Sequence, residues 1–436
     1  MISRAQEIWQ TGDWLSMVKL TTQPILIWLV AVFIKLPFDI VFAGRLASAL
    51  FGLITALLIA HAAAKFIHPQ AKWFAFLLMI LLPFPFFYDR TLLFESTLLT
   101  WMALAIYIPA AGLPLAILTK QTGWLSVPLA ILLHFQNKRL VFISLLAALV
   151  IPFAVWFIAL GSWEQIIKIN FMQTAIPLGA SADFKTNLLR AKLWLISYVT
   201  LPILFLALVG LIKESVESVK KRAFSPVLII GLWSLSVLIF EAKVAVIFYP
   251  RYLYPMLLGV VLLATKNAWT LFTYVKSIKK PILRLTTLFA GAMILFYPSI
   301  KFDYTLINSP QNAPLALEDH LQFFEDWTSG IGGNEFYKKI DEFTQDNSRN
   351  LILYVEGANS YYVTLGQTRK KNYEVKIASW LNEPLSEIPQ SVLSGNKEVW
   401  FVRNRNPDIP KDWPVSLIDK VQKSPTRYVY LYRINK

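Results

Sequence analysis

The stretch Phe84-Pro85-Phe86-Phe87-Tyr88-Asp89-Arg90-Thr91-Leu92-Leu93-Phe94-Glu95-Ser96 decides how the rest of the chain is read. Apolar runs flank it on both sides, and three ionisable residues stand at their junction. A charge near a hydrocarbon boundary is costly unless it meets a partner or lines a hydrated cavity. Asp89, Arg90 and Glu95 are therefore functional candidates by default. The bland alternative for Asp89-Arg90 is a surface pair at a helix start, where the dipole favours an acid. Glu95 lies about one turn further in, where a solvated capping role is less natural.

The composition around this stretch agrees with a membrane reading. Of 436 residues, 56% are hydrophobic, 14% aromatic and 16% charged, with a mean hydropathy of +0.51. Residues 22–300 are too apolar for a soluble core of ordinary size. The formal net charge of +15 would suit a nucleic-acid partner, but Lys and Arg fall in short clusters between apolar runs, which argues against a basic binding stripe. The absence of cysteine excludes disulfides, redox pairs and thiolate metal sites. His61, His68, His134 and His320 show no metal-ligand spacing.

A bilayer is crossed by about 20 apolar residues. Spans are expected at 42–66, 71–88 and 91–109, then at 140–160, 198–212, 226–248, 252–272 and 282–297. Between them, 113–119 and 124–135 are each too short to cross and are separated by Lys120-Gln121-Thr122-Gly123. This pair reads as a broken or re-entrant element, tolerated only where protein or a water-filled cavity satisfies the freed backbone. The run 24–36 reads as a helix lying in the interface. Alternation from residue 42 places Lys65, Lys72, Lys138, Arg139, Lys220, Lys221, Arg222, Lys279 and Lys280 on one side, which should be cytoplasmic. Asp89, Glu95, Lys120 and Arg251 then share the outer side. The aromatic run Phe84, Phe86, Phe87 and Tyr88 reads as an interfacial belt.

After about residue 300 the pattern becomes soluble. Strands are expected at 351–355, 373–377, 398–402 and 427–432, with helices near 335–346 and 385–393. The expected organisation is juxtamembrane helices over 1–41, a transmembrane helical domain over 42–300, and an extracytoplasmic α/β domain over 301–436. The outer domain shows no phosphate loop, nucleophile elbow or metal spacing, so its expected role is to cover or shape the membrane site.

Several phrases together resemble a known family. They are Thr11-Gly12-Asp13-Trp14, Gln23-Pro24-Ile25-Leu26-Ile27-Trp28-Leu29, Phe42-Ala43-Gly44-Arg45-Leu46-Ala47-Ser48-Ala49-Leu50-Phe51-Gly52, Phe87-Tyr88-Asp89-Arg90 with Glu95-Ser96, Leu118-Thr119-Lys120, and Pro250-Arg251-Tyr252-Leu253-Tyr254-Pro255. In this order, over residues 1 to about 300, they resemble the polytopic glycosyltransferases of the C superfamily (GT-C). The branch is the one that contains protein O-mannosyltransferases and aminoarabinose transferases. The resemblance implies a mostly α, GT-C-like transmembrane bundle in the plasma membrane of a prokaryote. It also implies transfer of a sugar from a polyprenyl-phosphate-linked donor to a glycan, lipid or protein acceptor on the outer face. Glu95 and Asp89 are then the catalytic candidates, since inverting transfer needs a carboxylate to take the acceptor proton. Arg90, Lys120, Arg251 and Arg45 are candidates for binding the donor phosphate. Gln23 and Tyr252 are candidate substrate contacts. No cofactor is required, and a divalent cation among Asp89, Glu95 and donor phosphate is compatible with the residues.

Members of that family carry a first spanning helix and an acidic catalytic residue ahead of the equivalent of Thr11-Gly12-Asp13-Trp14. The expectation is therefore that Met1 falls inside the first outer loop of a longer chain and that these residues alone are inactive, a degenerate relative being the alternative. Bland readings remain for the other candidates: headgroup snorkelling for Lys120, interfacial anchoring for Arg251 and Tyr252, and a plain helix start at Gln23-Pro24. Two other functions compete. A lipid transporter or flippase would share the broken 113–135 element, and a noncatalytic scaffold would be indifferent to Glu95→Gln.

Overall fold

The computed structural model describes residues 1–21, 23–168, 183–325, 333–345, 351–356, 373–379, 388, 390–393, 397–403, 409–410, 412–424 and 427–435. The chain divides into two compact units, Met1–Ala316 and Leu317–Lys436.

The first unit is helical. Three short helices, α1 (Ile2–Thr11), α2 (Ser16–Thr21) and α3 (Ile25–Phe33), precede the long α4 (Ile40–Phe66). Then come α5 (Lys72–Leu81), α6 (Pro83–Tyr88), α7 (Phe94–Ala105), α8 (Pro109–Thr119) and α9 (Ser126–His134). The series continues with α10 (Lys138–Leu160), α11 (Trp163–Ile167), α12 (Phe184–Val199), α13 (Leu201–Lys221), α14 (Pro226–Val244), α15 (Leu257–Lys276) and α16 (Pro281–Asn308). Among the described residues, five helical segments are long and apolar enough to cross a membrane, and the bent α12–α13 pair is a sixth candidate. This is a multi-pass membrane protein.

Local chemistry sets the ends of these helices. Asp39 caps α4 by accepting from the backbone N–H groups of Val41 and Phe42, each at 3.0 Å. The expected span 71–88 breaks at Pro83, which lacks the N–H needed to continue the ladder. The expected span 198–212 is instead a bent pair, α12 and α13, turning by 110° at Thr200. Hydropathy missed α12 because Lys185, Arg190 and Lys192 dilute its apolar face. Thr200 has φ 69°, a left-handed value that costs a β-branched residue about 1–3 kcal/mol. Its surroundings hold it there, since Thr200 is 5% exposed. Helix α16 runs beyond the expected end at residue 297. Only 6% of its apolar window is buried, and over the whole helix the buried residues are Leu295, Ser299, Phe302 and Asp303.

The second unit carries α17 (Leu317–His320), α18 (Gly333–Gln345) and α19 (Gln390–Leu393), with strands β1 (Leu351–Glu356), β2 (Tyr373–Ser379), β3 (Glu398–Arg403), β4 (Val415–Ser424) and β5 (Arg427–Ile434). The sheet order is β2-β1-β3-β5-β4, with β1 parallel to β2 and β3, and β5 antiparallel to β3 and β4. Alternating residues face opposite sides of the sheet. Leu353, Trp400, Val402, Val429 and Leu431 pack with Phe336, Tyr337 and Ile340 of α18. Val399, Phe401 and Ile434 pack with Val392 and Trp413 on the other face. Sequence reading missed β4, whose Asp419, Lys420, Gln422 and Lys423 give it the charge of a blunted edge strand. Of the expected helix 385–393, residues 385–387 and 389 lie outside the described residues, as does Asp346 at the end of the expected helix 335–346.

Helices α7 and α8 approach closely at Gly112, where an added Cβ would lie 2.7 Å from both Ala105 Cα and Trp101 O. Those atoms belong to backbone and cannot rotate aside. Gly112→Ala is therefore expected to destabilise the membrane unit by about 1–3 kcal/mol, the range for overpacking. Less monodisperse protein after a heat step, compared with wild type by size exclusion in detergent, is the measurement that checks it.

Candidate functional site

The candidate site is assembled from helix ends. Glu95 lies in the first turn of α7, where the N-terminal dipole favours a carboxylate. Lys120 terminates α8: its extended backbone (φ −160°, ψ 147°) stops the helix, and Gln121–Leu125 follows as a tight 3-10 turn. That turn folds back so closely that a Cβ at Gly123 would lie 2.6 Å from Ile117 N. The freed backbone finds partners, as membrane depth requires: Trp233 Nε1 donates to Leu125 O at 2.6 Å, and Ser126 Oγ donates to Gly123 O at 2.5 Å. Arg251 and Tyr252 sit on the 3-10 segment Pro250–Met256, which leads into α15.

These ends converge on one carboxylate. Glu95 is 3% exposed, and its Oε1 lies 2.9 Å from Lys120 Nζ and 4.0 Å from Arg251 Nε. Oε2 is buried and has no hydrogen-bond partner among the described residues. Tyr252 joins the cluster through its ring face, 4.8 Å from Lys120 Nζ and 5.8 Å from the Arg251 guanidinium, while Tyr249 stacks 4.4 Å from that guanidinium.

Asp89 occupies a different place. It follows α6, in the turn before α7, and its Oδ1 accepts from Ser96 Oγ and Tyr254 Oη, each at 2.6 Å. Its carboxyl packs against Gly52 of α4, where a Cβ would run into it. The contact ties the segment carrying Arg251 to the one carrying Glu95, so Asp89 is placed to position these elements. Burial pushes the Asp89 carboxyl up to about 7, against the opposing pull of the bonds from Ser96 and Tyr254.

The other sequence candidates lie elsewhere. Arg90 is exposed, with its guanidinium 3.4 Å from the Phe86 ring centroid and within electrostatic reach of Asp303. Arg45 is exposed on α4, because Gly44, Ala47 and Ser48 form that helix's packed face. Gln23 is half-buried, immediately before Pro24 and α3. Among the described residues, no three His, Asp or Glu side chains gather as a cation site. Sequence reading missed Glu241 of α14, which is 6% exposed, with Oε1 buried and without a hydrogen-bond partner among the described residues. Its signal was one acid in an otherwise apolar stretch of span.

The fold so defined is GT-C-like. The chain superposes on ArnT from Cupriavidus metallidurans in the apo state with a TM-score of 0.56 and 14% identity, covering 99% of this chain and 92% of that one. The structure of the same enzyme bound to undecaprenyl phosphate superposes with a TM-score of 0.53, at the same identity and coverage. ArnT is a GT-C glycosyltransferase. No family model matches the sequence, and no curated protein matches it.

The raised Asp89 group gives a signed expectation. Between the ordinary value of 3.8 and about 7, the folded protein holds a proton at Asp89 that the unfolded chain has released. Stability therefore falls as pH rises through that interval, by at most about 1.4 kcal/mol per pH unit. Melting temperatures in detergent across this range should decline less steeply for Asp89→Asn than for wild type; parallel profiles would refute the assignment.

Proposed function

We infer that this chain is a membrane glycosyltransferase that moves a sugar from a polyprenyl-phosphate-linked donor to an acceptor on the extracytoplasmic face. The observation that carries the reading is the Glu95–Lys120–Arg251 cluster: a buried carboxylate with one unpaired oxygen beside two cations, on a GT-C-like fold. The ArnT neighbour bound to undecaprenyl phosphate supports a lipid phosphate as the donor carrier. The basic inner connections support the orientation.

The proposed chemistry follows from charge. Transfer breaks the bond between the sugar C1 and a phosphate oxygen, and the electron pair leaves on the phosphate. Lys120 and Arg251 stabilise the charge that develops there, Arg through its planar fork and Lys as a point charge. The acceptor oxygen forms the new bond to C1, and its proton passes to a carboxylate. Glu95 Oε2 is the proposed recipient, since Oε1 is engaged by Lys120. The two cations do what a divalent ion does at a leaving phosphate, so the reading needs no cofactor. The helix broken at Lys120 would also suit a lipid transporter. The unpaired carboxylate oxygen beside the cations is what favours transfer.

Radiolabelled sugar transfer from undecaprenyl-phosphate-linked donors by the full-length protein in membranes tests the reading. Glu95→Gln is expected to lower kcat by roughly 10²-fold or more, and Arg251→Ala by about 10²–10³-fold. Donor-independent transport of undecaprenyl phosphate, with transfer absent, would favour the transporter.

A further inference from the structure

Lys120 and Arg251 belong to different segments, and one helix is bonded to both. In α14 the adjacent residues Trp233 and Ser234 point about 100° apart, as neighbours on a helix do, so a single turn meets two partners. Both are buried, at 4% and 2% exposure. Trp233 Nε1 donates to Leu125 O at 2.6 Å, at the end of the 3-10 turn that follows Lys120. That turn carries the constraint back to Lys120: Ser126 Oγ donates to Gly123 O at 2.5 Å, and Gly123 N donates to Lys120 O at 2.8 Å. On the other side, Ser234 Oγ accepts from Gly259 N at 3.0 Å, in the first turn of α15. The segment carrying Arg251 runs into α15 without a break, Pro250–Lys276 forming one helical run. Gly259 leaves no room for a side chain, since a Cβ there would lie 2.7 Å from Ile230 O and run into Ser234 Oγ. Gly231 is a second tight point, where a Cβ would lie 2.7 Å from Leu263 Cδ1.

Such bonds add little net stability, because water would satisfy the same groups in the unfolded chain. What they add is register, since each has one partner at one distance. Register matters at a site built from two helix ends: a misplacement of about 1 Å by a remote change can cost 10²-fold in activity, and supporting contacts are what hold a constellation within that tolerance. We propose that Trp233 and Ser234 are positioning residues that set the spacing of Lys120 and Arg251, with α14 as their shared strut, and so fix the grip on the donor phosphate. This assignment rests on the donor reading above.

Binding of radiolabelled undecaprenyl phosphate to the full chain in detergent, read as the dissociation constant of the folded protein, tests it. Trp233→Phe keeps an aromatic ring and loses the donor; it should weaken binding about fivefold, the scale of one hydrogen bond. In a Lys120→Ala background that loss should vanish, because residues that act through one another are not additive. Ser234→Ala should weaken binding by a similar factor, and its loss should vanish in an Arg251→Ala background; this arm serves alone if Trp233→Phe does not fold. A merely structural bond would lower the melting temperature and leave the dissociation constant of the folded protein where it was. Unchanged binding by either folded variant, or a loss of equal size with and without the cation, therefore overturns the proposal while the donor reading stands. Wild-type protein that fails to bind undecaprenyl phosphate, or binds it equally well without Lys120 and Arg251, overturns the donor reading and this assignment with it.

Discussion

The attraction between Glu95 and Lys120 is the constraint on which the candidate site depends. An ion pair this deeply covered is weak evidence for stability, because taking both charges out of water offsets much of their attraction, yet removing one partner costs about 3–5 kcal/mol. The pair therefore acts more as a specification than as glue. It fixes which helix end faces which, and it brings the start of α7 to the end of α8 with Arg251 alongside. Asp89 repeats the device with neutral donors, joining α6, α7 and the Pro250–Met256 segment through Ser96 and Tyr254.

Each of these groups sits on irregular backbone. Regular helix satisfies its own polar groups and presents side chains sideways, whereas a terminated helix leaves carbonyls and N–H groups that other residues must meet. Trp233, Ser126 and Gly123 do this around the break at Lys120, by side-chain donation and by close approach. The bend at Thr200 is a second departure from regular helix. The site is thus inseparable from the interruptions that create it, and a straighter bundle of equal hydropathy would lack it.

The fold class was legible in the sequence because it rests on composition and on run length. Glu95, Lys120 and Arg251 stood out for the same reason: charges at the ends of apolar runs are conspicuous. That they share one side followed from the alternation of spans, but their distances were not legible, since contacts between separate spans depend on packing that hydropathy does not encode. Helix α12 was hidden by Lys185, Arg190 and Lys192, and β4 by the charges of an edge strand. Glu241 was passed over because one acid barely changes the hydropathy of a span. Arg45 and Arg90 looked equivalent to Arg251 by position, but neighbouring small residues turn the first outward and Phe86 holds the second.

Helix α16 shows what burial implies for sequence drift. With 6% of its apolar window covered, most side chains of that window have no protein neighbour to fit, and in a bilayer they would meet lipid tails, which are as apolar as leucine. Leu295, Ser299, Phe302 and Asp303 form the narrow seam that meets the rest of the unit. Over evolutionary time this helix should wander freely in residue identity along its outer arc while that seam stays put. Alignments of distant relatives would then lose register here first, even where the architecture is unchanged.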